Sequence, residues 1–383
     1  MSFPTSDTSS NTSASDDFDS AEALARCQVA RTWLSGQFAE RSPPLRYSGN
    51  PITMKVTGHP PATASVVEQV FKPAFKVLEQ MSRGKIRVED HWGASVHSDR
   101  EGVAALLDGR SDLAPCYSGW DSATYRLAQA LRLPNLFANA EIGTTISEEL
   151  YSTFFREDVE KQGILMGRLK ATSAFHLFSM HPIRTLDDLP GLRVGGNDGI
   201  EADVIRALGA IPVPMSSLEK KDAFASGTVD AMHLSDGPAE VFGIGSRARY
   251  RTALGLVRNN TEFGMRAEFW RNLPDDLKRI LHAWLRAEAQ AETQVFYGLA
   301  GARARERFRA AGTEFIYFSA EEYDRILGRV SQVIDDFVAR EEAAGRPAAA
   351  LLSAIETLTK QHERKSPDQL MSDAITNPVT WDQ

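Results

Sequence analysis

Apolar residues recur along this chain at two spacings, and the two alternate. Short β-type runs at 52–57, 85–89 and 112–116 read as strands. Between them Val66, Val67, Val70, Phe71, Phe75 and Leu78, and later Val103, Leu106 and Leu107, fall at helical spacing, with Gly84 and Gly109 ending the two helices. A parallel strand pair needs a crossover connection, so strand, helix, strand, helix, strand predicts parallel strands covered by helices.

The same logic restarts near Phe175. A strand is expected at 191–194, a helix at 201–208 stopped by Gly209, and a strand at 211–214. Ser216 and Glu219 form a capping-box pattern for the next helix, which Gly227 closes before a short apolar segment at 228–233. From Leu277 the positions Ile280, Leu281, Trp284 and Leu285 describe a helix buried on one side, and helical composition runs on to about Arg309. Ser319 and Glu322 begin another helix, with Tyr323, Ile326, Val330, Val333, Ile334 and Phe337 on its apolar face. Residues 1–20 carry too little apolar surface to offset the entropy of ordering them and are expected to be disordered. A short surface helix is expected at 21–38 and a linker at Ser42-Pro43-Pro44; the Ala-rich, then polar, tail after Gly345 is expected to be peripheral.

At 383 residues the chain exceeds what one core usually supports, so two lobes are the prior expectation. Acidic residues outnumber basic ones by 51 to 43 and there is no Lys/Arg stripe interleaved with aromatics, which argues against nucleic acid as a partner. Cys27 and Cys116 lie in unlike surroundings, so a disulfide is not expected. No run approaches the roughly 18 apolar residues of a membrane helix. The eight histidines are scattered, with no His-Glu-x-x-His and no Cys-x-x-Cys, so neither a metal site nor a cofactor is expected. Gly243-Ile-Gly-Ser-Arg-Ala248 imitates a dinucleotide fingerprint, but no β-rich run precedes it, and it reads as chance.

Three segments in order carry a family resemblance. Pro182-Ile-Arg-Thr-Leu-Asp-Asp-Leu-Pro-Gly-Leu-Arg-Val194, Leu208-Gly-Ala-Ile-Pro-Val-Pro-Met215 and Ser226-Gly-Thr-Val-Asp-Ala231 resemble, at matching spacing, the signature of the DctP-type solute-binding subunits of TRAP transporters. Leu133-Pro-Asn-Leu-Phe137 and Phe269-Trp-Arg-Asn-Leu-Pro-Asp-Asp276 are similar to further motifs of that family, so the resemblance covers about residues 50–340. It implies a two-lobed α/β fold of the periplasmic-binding-protein type, with a parallel-sheet core in each lobe, crossing strands and a long spanning helix, closing by hinge motion over a solute. The implied lobes are 50–172 plus about 258–300, and 173–257 plus about 301–345, flanked by the leader 1–49 and the tail 346–383.

In the family the solute is usually an organic acid gripped bidentately by an arginine, as guanidinium geometry allows. Here that arginine aligns with Gly195, a second family arginine with His176, and a common asparagine with Arg266. Two readings stay open: Arg266, with Arg193 as a lesser helper, supplies the charge from elsewhere, or the ligand is not a simple carboxylate. The turn Gly195-Gly-Asn-Asp-Gly199 ahead of a helix also offers backbone N–H groups to an anion. His59, Ser118 and Trp120 follow strands where ligand loops emerge, and Asn197, Ser235 and Asp236 neighbour implied pocket positions. Against these stand plainer roles: His59 a loop histidine beside Pro60, Trp120 and His176 core residues, Asp236 a cap for the turn at Gly237-Pro238.

The leading expectation is reversible binding of a small organic, anionic solute, delivered to a TRAP membrane permease, without chemistry on the ligand. The rival is a cytoplasmic enzyme on the same fold, with His176, Asp236 and Arg266 as acid, base and cation. Residues 1–20 lack the basic start and apolar stretch of a secretory signal, which points to the cytoplasm, whereas the resemblance implies the periplasm. A third reading, a ligand sensor, would use the leader and tail as contact surfaces.

Overall fold

The computed structural model describes residues 17–381. Most of the leader expected to be disordered, residues 1–16, lies outside them.

Among the described residues thirteen strands follow one another: β1 (Ile52–Thr57), β2 (Ile86–His91), β3 (Leu113–Pro115), β4 (Ile164–Arg168), β5 (Ala171–Ala174), β6 (His176–Ser179), β7 (Arg193–Gly196), β8 (Ile211–Pro214), β9 (Ala231–Leu234), β10 (Tyr250–Ala253), β11 (Arg258–Asn260), β12 (Phe263–Arg266) and β13 (Glu314–Tyr317). The first lobe is built on a sheet of order β2-β1-β3-β12-β4 and the second on a sheet of order β13-β10-β6-β9-β7-β8. Each sheet is parallel except for one strand: β12 runs against β3 and β4, and β6 runs against β9 and β10. These two exceptions have a common origin. The chain leaves the first lobe through β5 to become β6 and returns through β11 to become β12, and β5 and β11 pair as an antiparallel ribbon between the lobes. Two short strands joining two bodies make a hinge.

A helix from Asp275–Glu292 continues through an under-wound π-helical stretch, Thr293–Ala300, into Gly301–Ala310. At 1.5 Å rise per residue it spans about 50 Å, long enough to serve both lobes. Leu277, Ile280, Leu281 and Trp284 are buried in the first lobe, each contributing on the order of 1.5–3 kcal/mol by leaving water. Trp284 Nε1 donates to the carbonyl of Ala74 (2.7 Å), which pins the helix to Lys72–Met81. Farther on, Phe308 packs edge to face on Phe178 in the second lobe.

The chain ends are more integrated than their composition suggests. The helices Ser20–Ala25 and Gln28–Leu34 replace the one helix expected at 21–38, and they bury Ala23, Cys27, Ala30 and Trp33 in the first lobe's core. The tail after Gly345, expected at the periphery, forms the helices Ala348–His362 and Pro367–Thr376, with Leu351, Ile355, Leu370 and Met371 buried. Trp381 then lays its ring 3.6 Å from the guanidinium of Arg286 and donates through Nε1 to the carbonyl of Glu148 (2.9 Å). The tail's apolar residues are sparse but fall at helical spacing, and the first lobe supplies the surface they cover. Among the described residues no helix is long and apolar enough to cross a membrane.

Candidate functional site

In both sheets the parallel strands point their carboxyl ends at the opposite lobe, and the loops that leave those ends face each other. His59 follows β1, Tyr117, Gly119 and Trp120 follow β3, and Asn197 follows β7, while Ser217 and Lys220 lie beyond β8. With Thr172, Phe175, Asn259, Thr261 and Phe263 from around the hinge, and Glu292, Phe296 and Tyr297 from the long helix, they line a cleft enclosing about 790 Å³ of empty space, its open mouth included. Crevices at strand carboxyl ends are where α/β sheets usually take ligands.

The lobes are in contact across this cleft. The backbone N–H of Ser217 donates to Asp99 Oδ2 (2.8 Å), that of Asp198 to the carbonyl of Gly119 (3.2 Å), and Trp120 Nε1 to Asn197 Oδ1 (3.2 Å). Each bond joins one lobe to the other, so this is a closed form.

Lys220 is the cation of the cleft. It opens the helix Lys220–Ala225 and is only 3% exposed, because it lies one turn before the buried Phe224 and shares its inward face. Its Nζ donates to Asn197 Oδ1 (3.3 Å), and among the described residues no carboxylate stands within ion-pair distance of it. Burial lowers its pKa, with Glu201 and Asp99 pulling the other way and Arg100 adding to the fall. His59 faces the same space. Its Nδ1 is buried without a partner, and burial brings its pKa down to about 4, so it is neutral at ordinary pH. The cleft's carboxylate, Glu292, is by contrast fully engaged, with Oε2 2.7 Å from Arg168 Nη2 and Oε1 2.9 Å from Lys170 Nζ.

The residues singled out from the sequence divide. The structure brings His59, Trp120 and Asn197 to the cleft. Ser118 lies just beneath it, fully buried, donating to Glu262 Oε1 (2.5 Å) and accepting from Arg132 Nη1 (2.5 Å). Gly195 lies within β7 with Met232 and Met215 against it, and Ser235 is buried at the start of the helix Asp236–Val241; neither lines the cleft.

His176 and Asp236 meet away from it, in the second lobe. Asp236 accepts from Arg251 (Nε 2.7 Å, Nη2 2.9 Å) and Arg305 (3.0 Å), and Asp17 reaches the same two arginines. Burial would raise the Asp236 carboxyl, but these guanidinium groups hold it well below its usual range. Asp17, His176 and Asp236 could each turn a ligand atom to one point, all within 4.8 Å, yet both carboxylates are spent on arginine, whose charge opposes a cation.

Arg266 sits at the other end of its sheet. Since β12 runs antiparallel to β3, its last residue lies where β3 begins, and there Arg266 pairs with Asp112 (2.7 Å) and Glu268 (3.0 Å). Arg193 pairs with Asp230 on the surface (2.8 Å). The turn 195–199 does precede a helix, but its anion is internal: Glu201 accepts from Asn197 Nδ2 (2.8 Å) and bonds His233 Nδ1 (3.0 Å). Arg266 thus lies apart from His176 and Asp236, and the three do not form one site.

The sequence profile of the DctP family, the bacterial extracellular solute-binding proteins of family 7, matches residues 57–341. The chain belongs to that family. Solved structures of the same fold agree. A TRAP solute-binding protein from Rhodoferax ferrireducens, with copurified benzoate, superposes with a TM-score of 0.76 at 20% identity, covering 82% of this chain and 99% of its own. A marine metagenome TRAP solute-binding protein specific for aromatic acid ligands, holding 3-hydroxybenzoate, gives 0.77 at 19% identity over 82% and 100%. One from a Bradyrhizobium species with bound galacturonate gives 0.70 at 19% over 80% and 100%. As a family 7 protein the chain binds a small solute between its lobes, and the enzyme reading is not favoured. The matched segment stops short of the terminal helices Gln28–Leu34, Ala348–His362 and Pro367–Thr376.

Proposed function

We propose that the cleft holds a small organic anion and that Lys220 is its counter-charge. The observation that carries this is a buried ammonium facing an interlobe cavity without a carboxylate of its own. Burying such a charge costs free energy unless something compensates it, and a bound carboxylate would. His59, neutral with an unpartnered Nδ1, gives the ligand a second polar contact. The relatives' bound acids support the reading, and so does the burial of Lys220, since a charge interaction is stronger away from bulk water. Such a protein would serve a membrane permease, giving up its solute as the hinge reopens; dependence of solute uptake by permease-bearing vesicles on added protein would support that partner.

The test is calorimetric titration of the ligand-free protein and of Lys220→Met with a panel of small carboxylates. At least one should bind the parent protein and lose most of its affinity in the variant. Equal affinity in both would remove Lys220 from the site.

A further inference from the structure

The wall of the cleft narrows the class of anion, and we infer that the solute is an aromatic monocarboxylate. This rests on the anion-binding reading above and adds to it what the rest of the molecule must look like. Eight Phe, Tyr and Trp side chains line the cavity, among them Tyr117, Trp120, Phe175, Phe263, Phe296 and Tyr297. Several hold one another in place: Tyr117 and Trp120 have centroids 4.5 Å apart, Phe296 and Tyr297 meet edge to face at 4.8 Å, and His59 stands edge-on to Tyr117 at 5.6 Å. Rings fixed before the ligand arrives lose little entropy on binding it and present faces and edges to a planar partner.

Hydrogen-bond accounting points the same way. A sugar acid brings several hydroxyl protons that need acceptors, and the carboxylate and amide oxygens of this wall are already engaged. Both Glu292 oxygens meet cations. Asn197 Oδ1 accepts from Trp120 and Lys220. Asn259 Oδ1 accepts from Arg132 and the N–H of Asn260, and Thr172 Oγ1 donates to the carbonyl of Ser173 while accepting from the N–H of Asn259. A polyol would bury hydroxyls unpaired against rings. What the wall still offers is the Lys220 ammonium, the unpartnered Nδ1 of neutral His59 and a few hydroxyls such as Thr261 Oγ1, which suit a ligand polar at one end and apolar elsewhere. A dicarboxylate is disfavoured by charge: among the described residues Lys220 is the one Lys or Arg lining the cavity, Arg168 and Lys170 beneath it are already paired with glutamates, and a second carboxylate would be buried uncompensated.

Ligand-free full-length protein, prepared by unfolding, dialysis and refolding, is titrated calorimetrically with benzoate, 3-hydroxybenzoate, benzyl alcohol, succinate and galacturonate, in parallel with Lys220→Met. Benzoate or its hydroxylated analogue should bind at least 100-fold more tightly than succinate or galacturonate, and tenfold or more above benzyl alcohol. Tighter binding of succinate or galacturonate, lost in Lys220→Met, overturns the aromatic class and leaves the anion reading standing. Benzyl alcohol binding as tightly as benzoate, with no effect of the variant, overturns the anion reading while leaving the aromatic cage. No binding by either aromatic acid overturns the inference outright.

Discussion

Two buried charged groups, Lys220 in the cleft and Asp236 in the second lobe, have almost the same exposure and opposite roles. Asp236 is 2% exposed and is held by two arginines, with Asp17 closing the cluster; every charge there has its opposite within the chain. Lys220 is 3% exposed and has an amide oxygen. A satisfied cluster fixes a fold, because removing any member exposes the rest to an uncompensated burial. An unsatisfied charge facing a cavity stores a demand that only an outside molecule meets. Burial alone does not separate structure from site; the inventory of partners does.

The largest effect that would break this contrast is on Asp236. Asp236→Ala should cost about 3–5 kcal/mol of unfolding free energy, since Arg251 and Arg305 lose their shared carboxylate, while affinity per folded molecule stays within about twofold. Urea unfolding with calorimetry on the same preparation checks both halves, and an affinity loss without a stability loss would put Asp236 back in the site.

Next comes Lys220→Met, for which affinity should fall by about 2 kcal/mol, roughly thirtyfold, the worth of a hydrogen bond to a charged group. Stability of the empty protein should hold or rise, because a buried ammonium is replaced by an apolar side chain of similar length. A drop in melting temperature comparable to that of Asp236→Ala would erase the distinction.

The pH response sharpens it from another side. Lys220 has its pKa lowered by burial, so it loses its proton, and the anion its partner, at a lower pH than an ordinary lysine would. Affinity should therefore weaken on the alkaline side while the fold persists. Asp236 has its pKa depressed by the arginines, so its stabilisation is complete above the unfolded carboxyl value of 3.8 and fades as pH falls through the folded one. Titrations between pH 7 and 10, beside unfolding curves below pH 4, should show loss of binding at one end and loss of fold at the other. Loss of fold alongside binding on the alkaline side would contradict the scheme.

The smallest expected change is at the seam. Trp120→Phe keeps a ring but removes the Nε1 bond to Asn197, so affinity should drop about threefold, mostly as faster dissociation measured by stopped flow. An unchanged dissociation rate would mean that the bond does not help hold the lobes shut.

Much of the fold was legible in the chain because strands alternate with amphipathic helices and the 182–231 motifs mark the second lobe. The terminal helices were less legible: Leu351, Ile355 and Leu370 look isolated among Ala, Ser and Thr until the surface they cover is known. Loops after parallel strands carry His59, Trp120 and Asn197 to the cleft, since all parallel strands of a lobe end at one edge. Arg266 misled because strand direction is invisible in sequence; an antiparallel β12 puts its end at the far edge. His176 and Asp236 are where their strands place them, but their side chains turn to Arg251 and Arg305, partners far away in the chain. Lys220 was overlooked within the pair Lys220-Lys221, of which the second is exposed and the first buried. Its position four residues before Phe224, on the apolar face, was the available signal.

A Cβ added at Gly195 would lie 2.8 Å from Met232 Sδ and 3.1 Å from Met215 Cε, so the two methionines occupy the room a larger side chain there would need. Mutational paths are thereby uneven. Alanine at 195 asks only that two flexible tails give way, but a guanidinium asks both to leave, so the arginine grip to which Gly195 aligns is not one substitution away. A library randomised at 195 alone should return no functional arginine, and one randomised at 195, 215 and 232 together is where a reversion would be found.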